Sequence, residues 1–437
     1  MRYLLTLILL CLSAAPANAQ QPAETWILVQ DMWGNPAYSM LTLVRVGEQL
    51  TGDIDGDPLH GRATAGTIEF SSQAKGGGIY RFSGSQTGTT MAGKADFPDN
   101  NFPDRRALHT FTARRIADRP AGAPRTWHFQ PVDYANSFDP HRAPVLTIWP
   151  GDSVETSTVD SGGVDAAGNT VALFGNPQTG PFFIAGAAPG DMLAVHIKRL
   201  RLNRDYADSL DTIVGRALGS SLVARAGELG KPVRWTLDRK AGRARPQGAS
   251  GALKDFSIAV RPMLGGLAVA PGFGSAPLST GDTGPFGGNM DFNEVVEGNI
   301  VYLPVQQPGA LLYLGDAHAL QGDGETSQYA LETSMDVAFR VELIKGKRIA
   351  GPRVESPDRI MVLGQAGSLD EALKSASTGM ILWLQQDYGL TLSQTAQILG
   401  TAMHYSVANL AGRSVGVAAK LDKAVLPPKA TAPVPPR

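Results

Sequence analysis

The densest set of chemically competent side chains lies in Gly315-Asp316-Ala317-His318-Ala319-Leu320-Gln321-Gly322-Asp323-Gly324-Glu325, directly after the apolar run Ala310 to Leu314. If that run continues as a strand, Asp316 and His318 fall on one face, because strand side chains alternate with period two. A carboxylate and an imidazole on one face can hold a zinc-like ion. Asp323 and Glu325, past a glycine turn, can curl back as ligand, base or support. The same residues also fit a hydrogen-bonded turn. A second candidate is Gly287-Gly288-Asn289-Met290-Asp291. Its paired glycines admit a ligand close to the backbone, and Asn289 can donate to a carbonyl or oxyanion. A turn capped by Asn and Asp explains the same pattern.

Three familiar signatures fail on context. Gly412-Arg413-Ser414-Val415-Gly416 has nucleophile-elbow spacing but follows a helical pattern instead of ending a strand. Ser72-Gln73-Ala74-Lys75 lies in a glycine-rich loop with no supporting motif. Asp53 to Asp57 begins like a calcium loop, yet Pro58 takes the glycine position and Thr64 that of the bidentate acid. It reads as a hairpin turn.

The elements around these residues are mostly strands. Of 437 residues, 43% are hydrophobic and 18% charged, while 50 Gly and 30 Pro exceed the usual combined share of about 12%. That balance favours a turn-dense β protein over helical bundles. Lys plus Arg is 39 against 40 Asp plus Glu, so no single-sign field attracts nucleic acid or an anionic membrane. One Cys excludes disulfide scaffolds, Cys-rich zinc sites and iron–sulfur clusters. Residues 1–19 read as a secretory signal, with Arg2, the apolar Leu4 to Leu12 and the cleavage site Ala17-Asn18-Ala19. The apolar run is shorter than the ~20 residues of a membrane span, so the expectation is a periplasmic or secreted product starting at Gln20.

The expected fold is mainly β, sandwich- or barrel-like, with an α+β C-terminal part and a separate small antiparallel β domain at the N-terminus. Residues 20–113 form that small domain, 114–126 a linker, 127–424 the main body and 425–437 a Pro-rich disordered tail. Within the body, Pro150-Gly151-Asp152 and Pro189-Gly190-Asp191 suggest a repeated hairpin, and Ser209 to Leu229 has helical periodicity. Ser368/Glu371 and Thr391/Gln394 have capping-box spacing for two C-terminal helices.

Taken in order, several segments resemble the acetamidase/formamidase family. They are PVLTIWPGDSV from Pro144, NPQTGPFFIAGAAPGD from Asn176, LNRD from Leu202, PMLGGLAVAP from Pro262, GGNMD from Gly287, YLPV from Tyr302, GDAHALQGDGE from Gly315 and SLDEALKSAS from Ser368. The likeness covers about residues 126–423. It implies a β-rich fold with an α/β C-terminal part, and metal-dependent hydrolysis of small aliphatic amides to a carboxylate and ammonia. It sets Asp316, His318 and Glu325 within the family signature and matches Asp160, in TVDSGG, to a family aspartate. On that basis Asp160, Asp316 and His318 are expected to hold a divalent ion, zinc first for its N/O donors. Glu325 is expected as base, Asn289 as oxyanion donor, and Asn176, Gln178, Asp291 and Asp323 as substrate contacts. Glu325 as ligand and Asp160 as an orienting group is the alternative. Some members carry His-Pro where this chain has Asn176-Pro177, so specificity can differ there. A homodimer is compatible with the resemblance. Two rival functions remain: a non-catalytic extracytoplasmic ligand-binding protein on the same fold, and a hydrolase of a larger amide.

Overall fold

The computed structural model describes residues 23–430 except 103, 273 and 274. The signal segment at 1–19 and the end of the tail lie outside the described residues. The chain divides into two compact units, Met1–Ile116 and Ala117–Arg437.

The first unit is a closed barrel of successive antiparallel strands, from Glu24–Met32 to Arg106–Arg115, closed by pairing of the first strand with the last. Alternating burial along each strand sends one face inward. Trp26, Leu28, Leu41, Phe70, Phe82 and Phe111 fill the interior. Phe70 stacks on Phe82 with ring centroids 4.7 Å apart. A barrel of eight strands has an interior just wide enough for such side chains to fill. Asp55 and Gly56, both at positive φ, make the tight turn between two of its strands.

The second unit is built on a six-stranded and a nine-stranded sheet. Three central strands of the smaller sheet, Gln178–Ile184, Met263–Ala268 and Leu312–His318, are buried along their whole length. The sheets meet where Phe182 lies edge-on to Phe339, 5.4 Å between centroids. The two Pro-Gly-Asp turns do not make hairpins. Each carries the chain from the six-stranded sheet (Leu146–Ile148, Gln178–Ile184) to the nine-stranded one (Ser153–Thr158, Met192–Leu202). The buried aspartates fix these arches. Asp152 accepts from Arg125 N, Trp127 Nε1 and Trp149 N, and Asp191 from Ala188 N, Gly346 N and Lys345 Nζ. Hydrogen bonds to Asp152 also fasten the end of the expected 114–126 linker to this unit.

The helical expectation over Ser209 to Leu229 is corrected. The segment opens on the strand Tyr206–Leu210, and only Ser220–Ala226 is α-helical, because Gly215, Gly219 and Gly227 interrupt the pattern. Near the C-terminus, helix Leu369–Tyr388 starts at Ser368 and stops at Gly389, and helix Leu392–Ala402 carries a complete Thr391/Gln394 capping box. The longer helix lies so close to the nine-stranded sheet that a Cβ on Gly364 would sit 2.0 Å from Ala372 O. Part of the expected disordered tail is docked, with Ala430 N donating to Asp387 O at 2.8 Å. No described helix is long and apolar enough to cross a membrane. The fold is mainly β with an α+β C-terminal part.

Candidate metal centre

Strand Leu312–His318 runs through the middle of the six-stranded sheet, with Gly315 opposite Gln178 on one side and Gly266 on the other. Its end presents Asp316 and His318 together, with His318 Nε2 3.5 Å from Asp316 Oδ1. Asp291 joins them from the turn after strand Gly287–Asn289. One ligand atom from each of Asp291, Asp316 and His318 falls within 4.8 Å of the others, and all three residues are buried. Glu332 approaches from another segment, its Oε1 3.3 Å from His318 Nε2.

Hydrogen bonds outside this group fix its orientation. Asp291 Oδ2 accepts from Asn289 Nδ2 at 2.6 Å and from Asn409 Nδ2, while Asn289 Oδ1 accepts from Asn176 Nδ2 at 2.6 Å. Gln321 Nε2 donates to Asp291 O and Ala408 O, so Gln321 Oε1, 2.9 Å from His318 Nδ1, accepts. Gln321 therefore keeps a proton on His318 Nδ1 and aims Nε2 toward the carboxylates. Gly265 makes the close approach feasible. A Cβ there would lie 2.5 Å from Asp316 Oδ2 and 2.6 Å from Asp291 Oδ1.

Five buried atoms in this cluster have no hydrogen-bond partner among the described residues: Asp291 Oδ1, both Asp316 carboxylate oxygens, His318 Nε2 and Glu332 Oε2. An unsatisfied buried polar group costs about 1–3 kcal/mol, more when charged. Their convergence is therefore the arrangement a cation requires, and the mixed oxygen and nitrogen donors fit a divalent metal. Electrostatics agree. Burial pushes the Asp291 carboxyl well up, with Glu325 and Asp316 adding to it. Burial likewise raises Glu332. Glu325 is pushed up to about 8 by burial, with His318 opposing and Glu332 and Asp316 reinforcing. Desolvation disfavours His318 charge, but Glu332 and Asp316 outweigh it and raise the imidazole. These carboxyls cannot all ionise together unless a cation offsets their charge.

The cluster forms the floor of a cavity of about 240 Å3. The described residues include nine non-glycine residues at positive φ. Asn176, Asp291, Asp316, Glu325 and Tyr329 line this cavity, while Trp33, Asp55, Ala310 and Leu311 lie elsewhere. Such conformations cost about 1–3 kcal/mol each and gather where a site dictates side-chain direction.

Of the residues expected from sequence, Asp316, His318, Glu325, Asn289, Asn176 and Asp291 meet at this cavity. Asp291, expected as a substrate contact, is the third member of the group that could hold a metal. Asp160, expected as a ligand, does not reach it. Its Oδ2 accepts from Arg204 Nη2 at 2.6 Å and its Oδ1 from Gly162 N and Val164 N. Arg204 Nη2 also donates to Glu332 O at 3.3 Å, which links Asp160 to the site through Arg204. Gln178 is fully buried beside the floor, where its Nε2 donates to Asn176 O at 2.9 Å. Asp323 is exposed on the far side of its glycine turn and accepts from Asn293. Glu332, Asn409 and the orienting role of Gln321 were not read from sequence. Glu332 sits in a stretch with no motif and is brought beside His318 by an isolated bridge.

Residues 279–403 match the model of the Acetamidase/Formamidase family, a span that holds Asp291, Asp316, His318, Glu325 and Glu332. A Schizosaccharomyces pombe protein named as a formamidase is 42% identical over 60 residues, 14% of this chain and 15% of that protein. The chain thus matches well under two thirds of that relative's length. Among solved structures, the acetamidase of Yersinia enterocolitica is 29% identical with a TM-score of 0.61, over 70% of this chain and 95% of that one. A predicted acetamidase/formamidase of Thermoanaerobacter tengcongensis is 26% identical with a TM-score of 0.59, over 69% and 96% of the respective chains.

Proposed function

Because this chain belongs, through its larger unit, to the acetamidase/formamidase family, we propose that it hydrolyses the C–N bond of small linear amides, releasing ammonia and a carboxylate. The observation that carries the reading is the convergence of partnerless buried Asp291, Asp316, His318 and Glu332 atoms at the floor of a cavity of about 240 Å3. That volume lies below the roughly 300–1,000 Å3 of pockets for drug-sized ligands and suits a small substrate.

Asp291, Asp316 and His318 would hold a divalent ion, with zinc the first candidate, and Glu332 stands near enough to contribute or to buffer the charge. When bound, such an ion supplies Lewis acidity and lowers the pKa of water from 15.7 toward ~7. Glu325 takes a proton from the attacking water and returns it to the leaving nitrogen, and its buried setting keeps its proton affinity near the working range. Asn289 has one amide hydrogen committed to Asp291 Oδ2, and the other is left for the oxygen that gains charge. Gln321 holds His318 in the tautomer that ligation needs. The signal-like sequence of residues 1–19 supports the reading that this activity is exercised outside the cytoplasm.

The test uses protein beginning at Gln20 and purified without chelator. Metal content is measured, and ammonia release from formamide, acetamide and longer amides is followed before and after metal removal and readdition. Turnover lost with the metal and regained with it is the expected result. Bound metal without ammonia from any amide removes the amidase reading, and neither metal nor turnover favours a ligand-binding protein.

A further inference from the structure

The cavity is acidic at its floor, yet its wall carries a guanidinium. Apart from His318, Arg413 is the one cationic side chain lining it among the described residues. Its side chain is 68% exposed, and Nη1 donates to Asp282 Oδ1 at 2.9 Å. An exposed pair of this kind contributes about 0–1 kcal/mol, so stability does not account for its position. No partner for Nε or Nη2 is found among the described residues.

The segment bearing Arg413 is tied down by hydrogen bonds and linked to the acid floor. Arg216 donates to three carbonyls of that loop: Nη1 to Leu410 O at 2.9 Å and Gly412 O at 2.6 Å, and Nη2 to Arg413 O at 3.2 Å. Asn409 accepts from Gly412 N at 2.8 Å through Oδ1 while its Nδ2 donates to Asp291. A single side chain thus couples the Arg413 loop to a ligating carboxylate. The wall also holds an apolar surface. Phe174, 67% exposed, lies edge-on to Tyr329 with centroids 6.3 Å apart. Tyr329 is held at φ 70°, a costly conformation for a bulky residue.

Resting on the amide-hydrolase reading above, we propose that the cavity favours amides whose acyl chain ends in a carboxylate, the mono-amides of short dicarboxylic acids, with Arg413 as the specificity-determining residue. The amide carbon meets the floor, the methylene chain passes the Phe174–Tyr329 surface, and the distal carboxylate takes the open donors of Arg413. Asp282 engages only Nη1, which leaves the Nε and Nη2 hydrogens of the planar fork for a second carboxylate. In the reaction the C–N bond breaks, a C–O bond forms from water, and water's protons end on the products. The distal carboxylate is unchanged.

The test measures kcat/KM for ammonia release from malonamate, succinamate and glutaramate against the length-matched neutral amides propionamide, butyramide and valeramide. Wild type, Arg413→Gln and Arg413→Lys are compared. In the wild type the best carboxylated amide should exceed its neutral match by about 10- to 100-fold, the scale of one charge-assisted contact. Arg413→Gln should bring that ratio close to one, mainly through KM, and Arg413→Lys should restore part of it. Neutral amides turned over without a carboxylate preference would overturn the proposal, as would a preference that survives Arg413→Gln. Ammonia from neither set would overturn the amidase reading itself, and this proposal with it.

Discussion

Asp291, Asp316, His318 and Glu332 point toward one another with too little positive charge between them, and this imbalance sets the behaviour of individual residues. Glu325 is the group whose chemistry is separable from the ligand set. Glu325→Gln keeps the side chain's size and removes its proton transfer. It should retain metal content and thermal midpoint while turnover falls by about 10²–10⁴-fold, the usual contribution of a general base. Near-normal turnover would remove the assigned role. The same residue gives a pH signature in metal-free protein. Glu325 titrates near 4.5 when unfolded and about 8 when folded. Below the first value both states are protonated. Between the two, the folded chain holds the proton that the unfolded chain releases, so stability declines as pH rises toward 8. Calorimetry of chelated protein should therefore show a lower midpoint at pH 8 than at pH 5, and Glu325→Gln should flatten that slope. A midpoint that rises over this interval would contradict the assigned environment.

At the scale of elements, the site depends on one strand passing close beneath two carboxylates. Gly265→Ala introduces a methyl about where Asp316 Oδ2 and Asp291 Oδ1 now lie. The expected outcome is a loss of about 1–3 kcal/mol of stability, as for other overpacked interiors, together with sharply weakened metal binding by titration. Unchanged affinity would show that the carboxylates have room to shift. Strand structure also explains what was legible in advance. Asp316 and His318 are two residues apart, so strand alternation brought them together on paper as in the fold. The capping residues Ser368 and Thr391 speak for their own helices for the same local reason. Glu332 and Asn409 reach the cluster through pairings between distant segments, and nothing adjacent to them in sequence encodes that register. The Pro-Gly-Asp turns mark a reversal correctly, but a turn does not say whether the next strand joins the same sheet or the facing one. Asp160 was drawn to the metal by the family pattern, while Arg204, 44 residues on, claims its carboxylate.

At the scale of the whole molecule, the barrel Glu24–Arg115 closes on itself and carries its own aromatic core. Residues 23–116 produced alone should give a cooperative thermal transition and strand-type circular dichroism. A chain from 117 onward should keep the metal site. Loss of metal binding on removing the barrel would mean that the larger unit needs it to fold. The catalytic reading requires nothing from the barrel, since every residue that meets at the cavity lies after Ala117.

Asn409 has a consequence in time. Ribosomes deliver a chain in order, so Asp291, Asp316 and His318 emerge well before the residue that pins Asp291 and ties it to the Gly412 turn. A nascent chain can offer the metal only a loose set of donors until strand His404–Asn409 has paired with Val415–Asp422. The final grip belongs to the completed polypeptide. An ion acquired earlier would be held by donors still free to exchange it.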